Sequence, residues 1–145
     1  MIKVYDNVIP DDKCQELIEF FESNKENQEY INHNNCPCFT QLNVNQVSDS
    51  VVRSLLPYIS KAYKTYKEDV KAKFAPKLNV LEEFRIKRYI INGNERFDLH
   101  IDAKDNNNCI RAVAFLFYLN DNDGMTLFPF HGISIKPTKG SVLIF

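Results

Sequence analysis

Apolar positions along the chain follow a helical spacing in the front half and an alternating or clustered spacing in the back half. Val4 to Ile9 has the pattern of a short strand and turn. Pro10-Asp11-Asp12 then predicts a helix start, because proline suits the first helical position and an acidic pair suits the positive helix N-terminus. Leu17, Ile18, Phe20 and Phe21 supply that helix's apolar face, and Glu22-Ser23-Asn24 predicts its end. Residues 24 to 46 are polar and rich in asparagine, which predicts a loop carrying one short strand at most. A second helix is expected from Ser48-Asp49, a capping pair ahead of Val51 and Val52. It is expected to bend near Pro57 and run towards Val70.

From Val80 onward the pattern is that of strands. Phe84 to Ile90 alternates as a half-buried strand does, and Asn92-Gly93-Asn94 is a turn signal. Phe97-Asp98-Leu99-His100-Ile101-Asp102 is expected to be a further strand. Its pleat would turn His100 and Asp102 to one face and Leu99 and Ile101 to the other. Arg111 to Leu119 is apolar enough for a central strand, ended by Asn120-Asp121-Asn122-Asp123-Gly124. Met125 to Phe130 and Ile133 to Ile135 predict two short strands about a turn at His131-Gly132. Pro137-Thr138-Lys139-Gly140 predicts another turn into Ser141-Val142-Leu143-Ile144-Phe145. The expected class is α+β, mainly β: a double-stranded β-helix, or jelly roll, with N-terminal supporting helices.

Composition narrows the setting. With 145 residues, 44% of them apolar, the chain fits one domain with one packed core. A formal net charge of −1 supplies no general attraction to nucleic acid or to an anionic membrane surface. No apolar stretch approaches the roughly 20 residues needed to cross a bilayer, and Met1 to Asp6 lacks the apolar segment of a signal peptide. Four cysteines without an evident disulfide framework point to a reducing compartment, so a cytoplasmic protein is expected.

The residue types that carry chemistry centre on His100 and Asp102. An imidazole and a carboxylate converging from one strand are two of the three ligands of the facial triad that holds non-haem Fe(II). A lone H-x-D recurs by chance in many chains, but here it stands in an ordered series. The series is Arg88-Tyr89, Gly93, His100-Ile101-Asp102, Tyr118-Leu119-Asn120, Asp123-Gly124-Met125-Thr126-Leu127-Phe128-Pro129 and Pro137-Thr138-Lys139-Gly140-Ser141. In order and spacing it resembles the Fe(II)/2-oxoglutarate-dependent oxygenase superfamily, and within it the prolyl 4-hydroxylase-like branch. The similarity covers about residues 80 to 145, and the front half is more loosely similar to that branch's helical support.

The resemblance implies one oxygenase domain over residues 1–145, with Fe(II), 2-oxoglutarate as cosubstrate, O2, and ascorbate as an optional addition. His100 and Asp102 would be metal ligands. Tyr89 and Tyr118 match tyrosines that bond 2-oxoglutarate in related hydroxylases, and Thr126 would line the same pocket. Asp123-Gly124-Met125 stands where the family has a double glycine. Arg111 matches an arginine that faces a peptide substrate in some relatives, with an ion pair as its other reading. Retention of Asp102 favours hydroxylation over halogenation, since in halogenating relatives that carboxylate gives way to a small residue. The implied substrate is a prolyl residue of a peptide or protein, with small molecules open.

The family's distal histidine and a basic residue for 2-oxoglutarate would lie beyond Phe145, so the domain is expected to lack its C-terminal strand or strands. His131, in a turn, is read as an exposed or packing residue rather than the third ligand. His33, Cys36 and Cys38 form a weak zinc grouping, read instead as a loop over the mouth of the site, and Cys109 is read as structural. The lysines from Lys61 to Lys77 with Tyr63, Tyr66 and Phe74 are read as a solvated helix face. Two rival functions remain: a catalytically degenerate jelly-roll binding protein, and a nucleic-acid demethylase using the same iron chemistry. Neither nucleic acid nor membrane is an expected partner.

Overall fold

The computed structural model describes residues 1–33, 38–71, 80–91, 94–102 and 111–145. Turn residues Asn92 and Gly93, the loop cysteine Cys36, Cys109, and Phe74, Lys73 and Lys77 of the basic stretch lie outside the described residues. Within them the chain forms β1 (Lys3–Tyr5), α1 (Asp11–Ser23), β2 (Gln28–Asn32), β3 (Cys38–Asn43), α2 (Val44–Val47), α3 (Asp49–Asp69), β4 (Arg85–Arg88), β5 (Phe115–Phe117), β6 (Thr126–Phe128), β7 (Ile133–Ile135) and β8 (Val142–Ile144). Chain contacts divide it into two compact units, one of residues 1–20, 57–73 and 113–145 and the other of residues 21–56 and 74–112. Two of the boundaries fall within α1 and α3.

The first unit is built around β8, the middle strand of an antiparallel sheet ordered β1-β8-β5. Val142, Leu143 and Ile144 are wholly buried, as a continuous apolar run must be when both sheet faces are covered. Ile9, Cys14, Leu17, Ile59, Ala62, Tyr63 and Tyr118 extend this core. The strand expected over 111–119 is shorter, because only Phe115–Phe117 satisfies the ladder in full. Flanking bonds prolong it: Ala114 and Phe145 exchange both backbone bonds, and Tyr118 N–H donates to Ser141 O at 3.0 Å. A separate hairpin pairs β6 with β7 through a short 3-10 turn at Pro129–His131, close to its sequence expectation.

An outer tie secures β1 to the end of α3. The Tyr5 hydroxyl donates to Asp69 Oδ2 at 3.1 Å, and Lys3 Nζ lies 2.9 Å from the same oxygen. Burial first, then the bond to Asp69, pushes the Tyr5 hydroxyl up to about 12. A phenol with a raised folded pKa favours the native state below its unfolded pKa of about 10, and that contribution fades as pH climbs through about 12. Melting temperatures of wild type are therefore expected to fall more steeply across this alkaline window than those of Tyr5→Phe. Parallel profiles would show that the tie is not felt.

The second unit corrects the front half of the sequence reading. Residues 24 to 46 are not a loop with one short strand: β2 and β3 pair antiparallel, Gln28 opposite Leu42 through Asn32 opposite Cys38. β4 completes the sheet on the other edge of β3, Thr40 opposite Arg88 through Asn43 opposite Arg85. Phe39 and Leu42 are buried in β3, so pairing on both sides compensates for its modest strand propensity. A second correction concerns residues 97 to 102, which form no strand; the one bridge to the sheet lies just before them, Cys38 opposite Arg96. The fold is mainly β with helices. Among the described residues the strands form separate antiparallel sheets and no closed barrel. No helix among them is long and apolar enough to cross a membrane.

Candidate metal half-site and cosubstrate residues

The stretch carrying the imidazole and carboxylate is irregular, so their convergence does not come from a strand's pleat. It comes from three ties. Cys38 N–H donates to Arg96 O at 2.9 Å, fixing the entry. Phe97 stacks on Phe39 with ring centroids 5.2 Å apart, and His100 lies against Phe97 at 4.2 Å. Arg111 Nη1 donates to Asp102 O at 3.0 Å, while its Nε donates to Glu82 Oε1 at 2.7 Å. Arg111 thus makes the ion pair weighed for it and also fixes the backbone of Asp102.

Within this frame His100 Nε2 stands 3.0 Å from Asp102 Oδ1. His100 Nδ1 lies 2.8 Å from the carbonyl oxygen of Asp98. A carbonyl only accepts, so Nδ1 carries the hydrogen and donates. In neutral imidazole the lone pair is then on Nε2, aimed at a carboxylate oxygen that also only accepts. Two acceptors at this separation need a proton or a cation between them. A backbone carbonyl that sets the tautomer from behind is the usual support of a metal-binding histidine. A separation of 3.0 Å also matches adjacent ligand positions around an octahedral ion with bonds of about 2.1 Å. The donor set therefore fits a divalent first-row metal. Both side chains remain about two-fifths exposed, at 39% and 38%, so the pair is reachable from solvent. Among the described residues no group of three or more His, Cys, Asp or Glu side chains gathers about one point.

Tyr89 follows β4 in the same unit and packs on Phe39 with centroids 5.4 Å apart. Burial, with a smaller contribution from Glu95, pushes its hydroxyl up to about 12. It stays protonated at neutral pH and able to donate. Tyr118 and Thr126 belong to the first unit and meet there, hydroxyl to hydroxyl at 2.7 Å. Burial raises the Tyr118 pKa, and the bond to Thr126 opposes the rise. The spacing from the end of β5 to the start of β6 thus joins two of the residues expected to hold cosubstrate. His131 ends the 3-10 turn and is exposed. Cys38 is buried in β3, its sulfur 2.7 Å from the Tyr30 hydroxyl, a structural placement rather than that of a zinc ligand.

One neighbour of the half-site was not anticipated from the sequence. Lys87 Nζ sits 4.4 Å from the Phe97 ring centroid and 4.8 Å from that of Phe39. Its signal is period-two spacing, since it shares a face of β4 with Arg85 and points the same way as the position of Tyr89.

No family model matches the chain, and no curated protein matches it. Among solved structures it is similar to the viral collagen prolyl hydroxylase of Paramecium Bursaria Chlorella virus-1, solved as a 2OG complex. The TM-score is 0.68 over 99% of this chain and 76% of that one, at 19% sequence identity. The fold is prolyl hydroxylase-like.

Proposed function

We propose that the chain forms one Fe(II)- and 2-oxoglutarate-dependent oxygenase domain that hydroxylates a prolyl residue of a peptide or protein. The observation that carries this reading is the His100–Asp102 pair at 3.0 Å, with its tautomer set by the Asp98 carbonyl. It is supported by a fold similar, over 99% of the chain, to a viral collagen prolyl hydroxylase. Fe(II), bound with 2-oxoglutarate and O2, supplies the oxidising power that no side chain has. The chain's own part is to hold and orient. His100 and Asp102 would hold the metal, Asp98 and Arg111 keep those two ligands aligned, and Tyr89 would donate a hydrogen bond to the dicarboxylate. The Tyr118 and Thr126 hydroxyls, 2.7 Å apart, are two further donors of the kind a dicarboxylate takes.

The direct test is succinate release from 2-oxoglutarate with Fe(II), with and without a proline-rich peptide. Release that needs Fe(II) and rises with peptide, accompanied by a mass gain of one oxygen on the peptide, is the expected result. Peptide binding with no succinate under any condition would overturn the catalytic reading and leave a binding protein on the same fold.

A further inference from the structure

The half-site has a cation beside it that neither metal ligation nor the tyrosines account for. Lys87 projects from β4 across the stacked pair Phe39 and Phe97, its ammonium 4.8 and 4.4 Å from their centroids. Both distances lie inside the range of an effective cation–π contact. Phe97 in turn carries His100 at 4.2 Å. Asp102 acts on Lys87 as an attractive charge, while Arg85 acts as a repulsive one. The residue keeps some solvent access, although burial, ahead of the neighbouring Arg85 charge, holds its pKa below the usual lysine range. The rings thus fix a positive charge one aromatic ring away from the imidazole that would bind metal.

Such a charge has opposite effects on two ligands. It repels a bare divalent cation at His100 and Asp102, and it attracts an anion that arrives beside that cation. A divalent ion and a bidentate carboxylate would then bind more favourably together than apart, and this coupling is reciprocal. We propose that Lys87 is a positioning residue that couples anion binding to metal binding at the His100–Asp102 half-site, favouring a metal that arrives with an oxo-acid or dicarboxylate partner. The proposal rests on the metal-binding reading of that half-site.

The test uses the full chain, Mn(II) as the metal and oxalate as the anionic probe, and reads equilibrium binding by calorimetry or by the electron paramagnetic resonance of free Mn(II). Lys87→Met keeps the aliphatic stem and removes the charge; Lys87→Arg keeps the charge and the ring contact. With Met, Mn(II) alone is expected to bind on the order of threefold more tightly, since a nearby like charge is gone. The gain in Mn(II) affinity caused by saturating oxalate is expected to fall about tenfold. Arg is expected to restore both quantities to near wild type. An unchanged oxalate gain in Lys87→Met overturns the proposal, as does weaker Mn(II) binding in that variant, the signature of a purely structural clamp. If wild type and His100→Ala bind Mn(II) equally poorly, the half-site itself is misassigned and the proposal goes with it. Coupling lost in wild type while His100-dependent Mn(II) binding persists would sink only the role given to Lys87.

Discussion

Asp102→Ala and His100→Ala are each expected to lower divalent-metal affinity by more than about 100-fold, since loss of outer-shell support alone costs roughly 10- to 100-fold at metal sites. Succinate release should fall to background in the same proteins. The fold should scarcely notice. Both side chains are well exposed, and the His100–Asp102 contact at 3.0 Å is an open ion pair at most, of a kind contributing roughly 0–1 kcal/mol. The separation of effects is the diagnostic point: metal binding and turnover vanish while the melting temperature stays within a few degrees. Full turnover in either variant would remove these residues from the chemistry. The geometry gives the reason for so steep a loss. With Nδ1–H committed to Asp98 O, His100 offers only Nε2, and Asp102 Oδ1 is the oxygen facing it.

What could be read from the sequence was whatever is encoded locally. Pro10-Asp11-Asp12 and Ser48-Asp49 mark helix starts by backbone chemistry within a few residues, and α1 and α3 begin where those signals lie. The apolar run ending at Phe145 reads as a buried strand because its own side chains demand burial, and β8 is wholly buried. β2 and β3 were not legible for the converse reason. Gln28-Glu29-Tyr30-Ile31-Asn32 and Cys38-Phe39-Thr40-Gln41-Leu42-Asn43 carry few β-branched residues; β2 gains its strand character from β3, and β3 is held on its other edge by Arg85 to Arg88, more than 40 positions away. The candidate site divides in the same way. His100 and Asp102 were visible as residue types at a suggestive spacing, but the inferred strand that was to unite them is absent. Their meeting depends on Phe39, Arg96 and Arg111, which no local pattern links. Lys87 was hidden for the same cause, since its significance lies in rings contributed by β3 and by the stretch after β4.

Gly140→Ala is expected to be the most damaging single methyl added to the first unit, and Gly132→Ala supplies its control. Both glycines have left-handed backbones, φ 77° at Gly140 and φ 61° at Gly132, and an L-residue there costs about 1–2 kcal/mol. They differ in what surrounds the added carbon. A Cβ on Gly132 meets nothing within 4 Å, whereas one on Gly140 would lie 2.5 Å from the carbonyl oxygen of Ile9. That carbonyl belongs to backbone held in place by Gly140 itself, whose oxygen accepts from Val8 N–H at 2.8 Å and Ile9 N–H at 3.0 Å. The Gly140 N–H donates to Tyr118 O at 2.9 Å, so this one residue joins the segment after β1, the end of β5 and the start of β8. Relief of the clash must therefore lengthen bonds on two sides and draw Tyr118 from its place 2.7 Å from the Thr126 hydroxyl. A loss of about 3 kcal/mol or more follows, on the order of 10 °C in melting temperature for a chain of this size. Gly132→Ala should lose roughly 1–2 kcal/mol. Equal melting temperatures for the two variants would show that the Gly140 junction yields without resistance, and that the tight approach to Ile9 does not hold the first unit together.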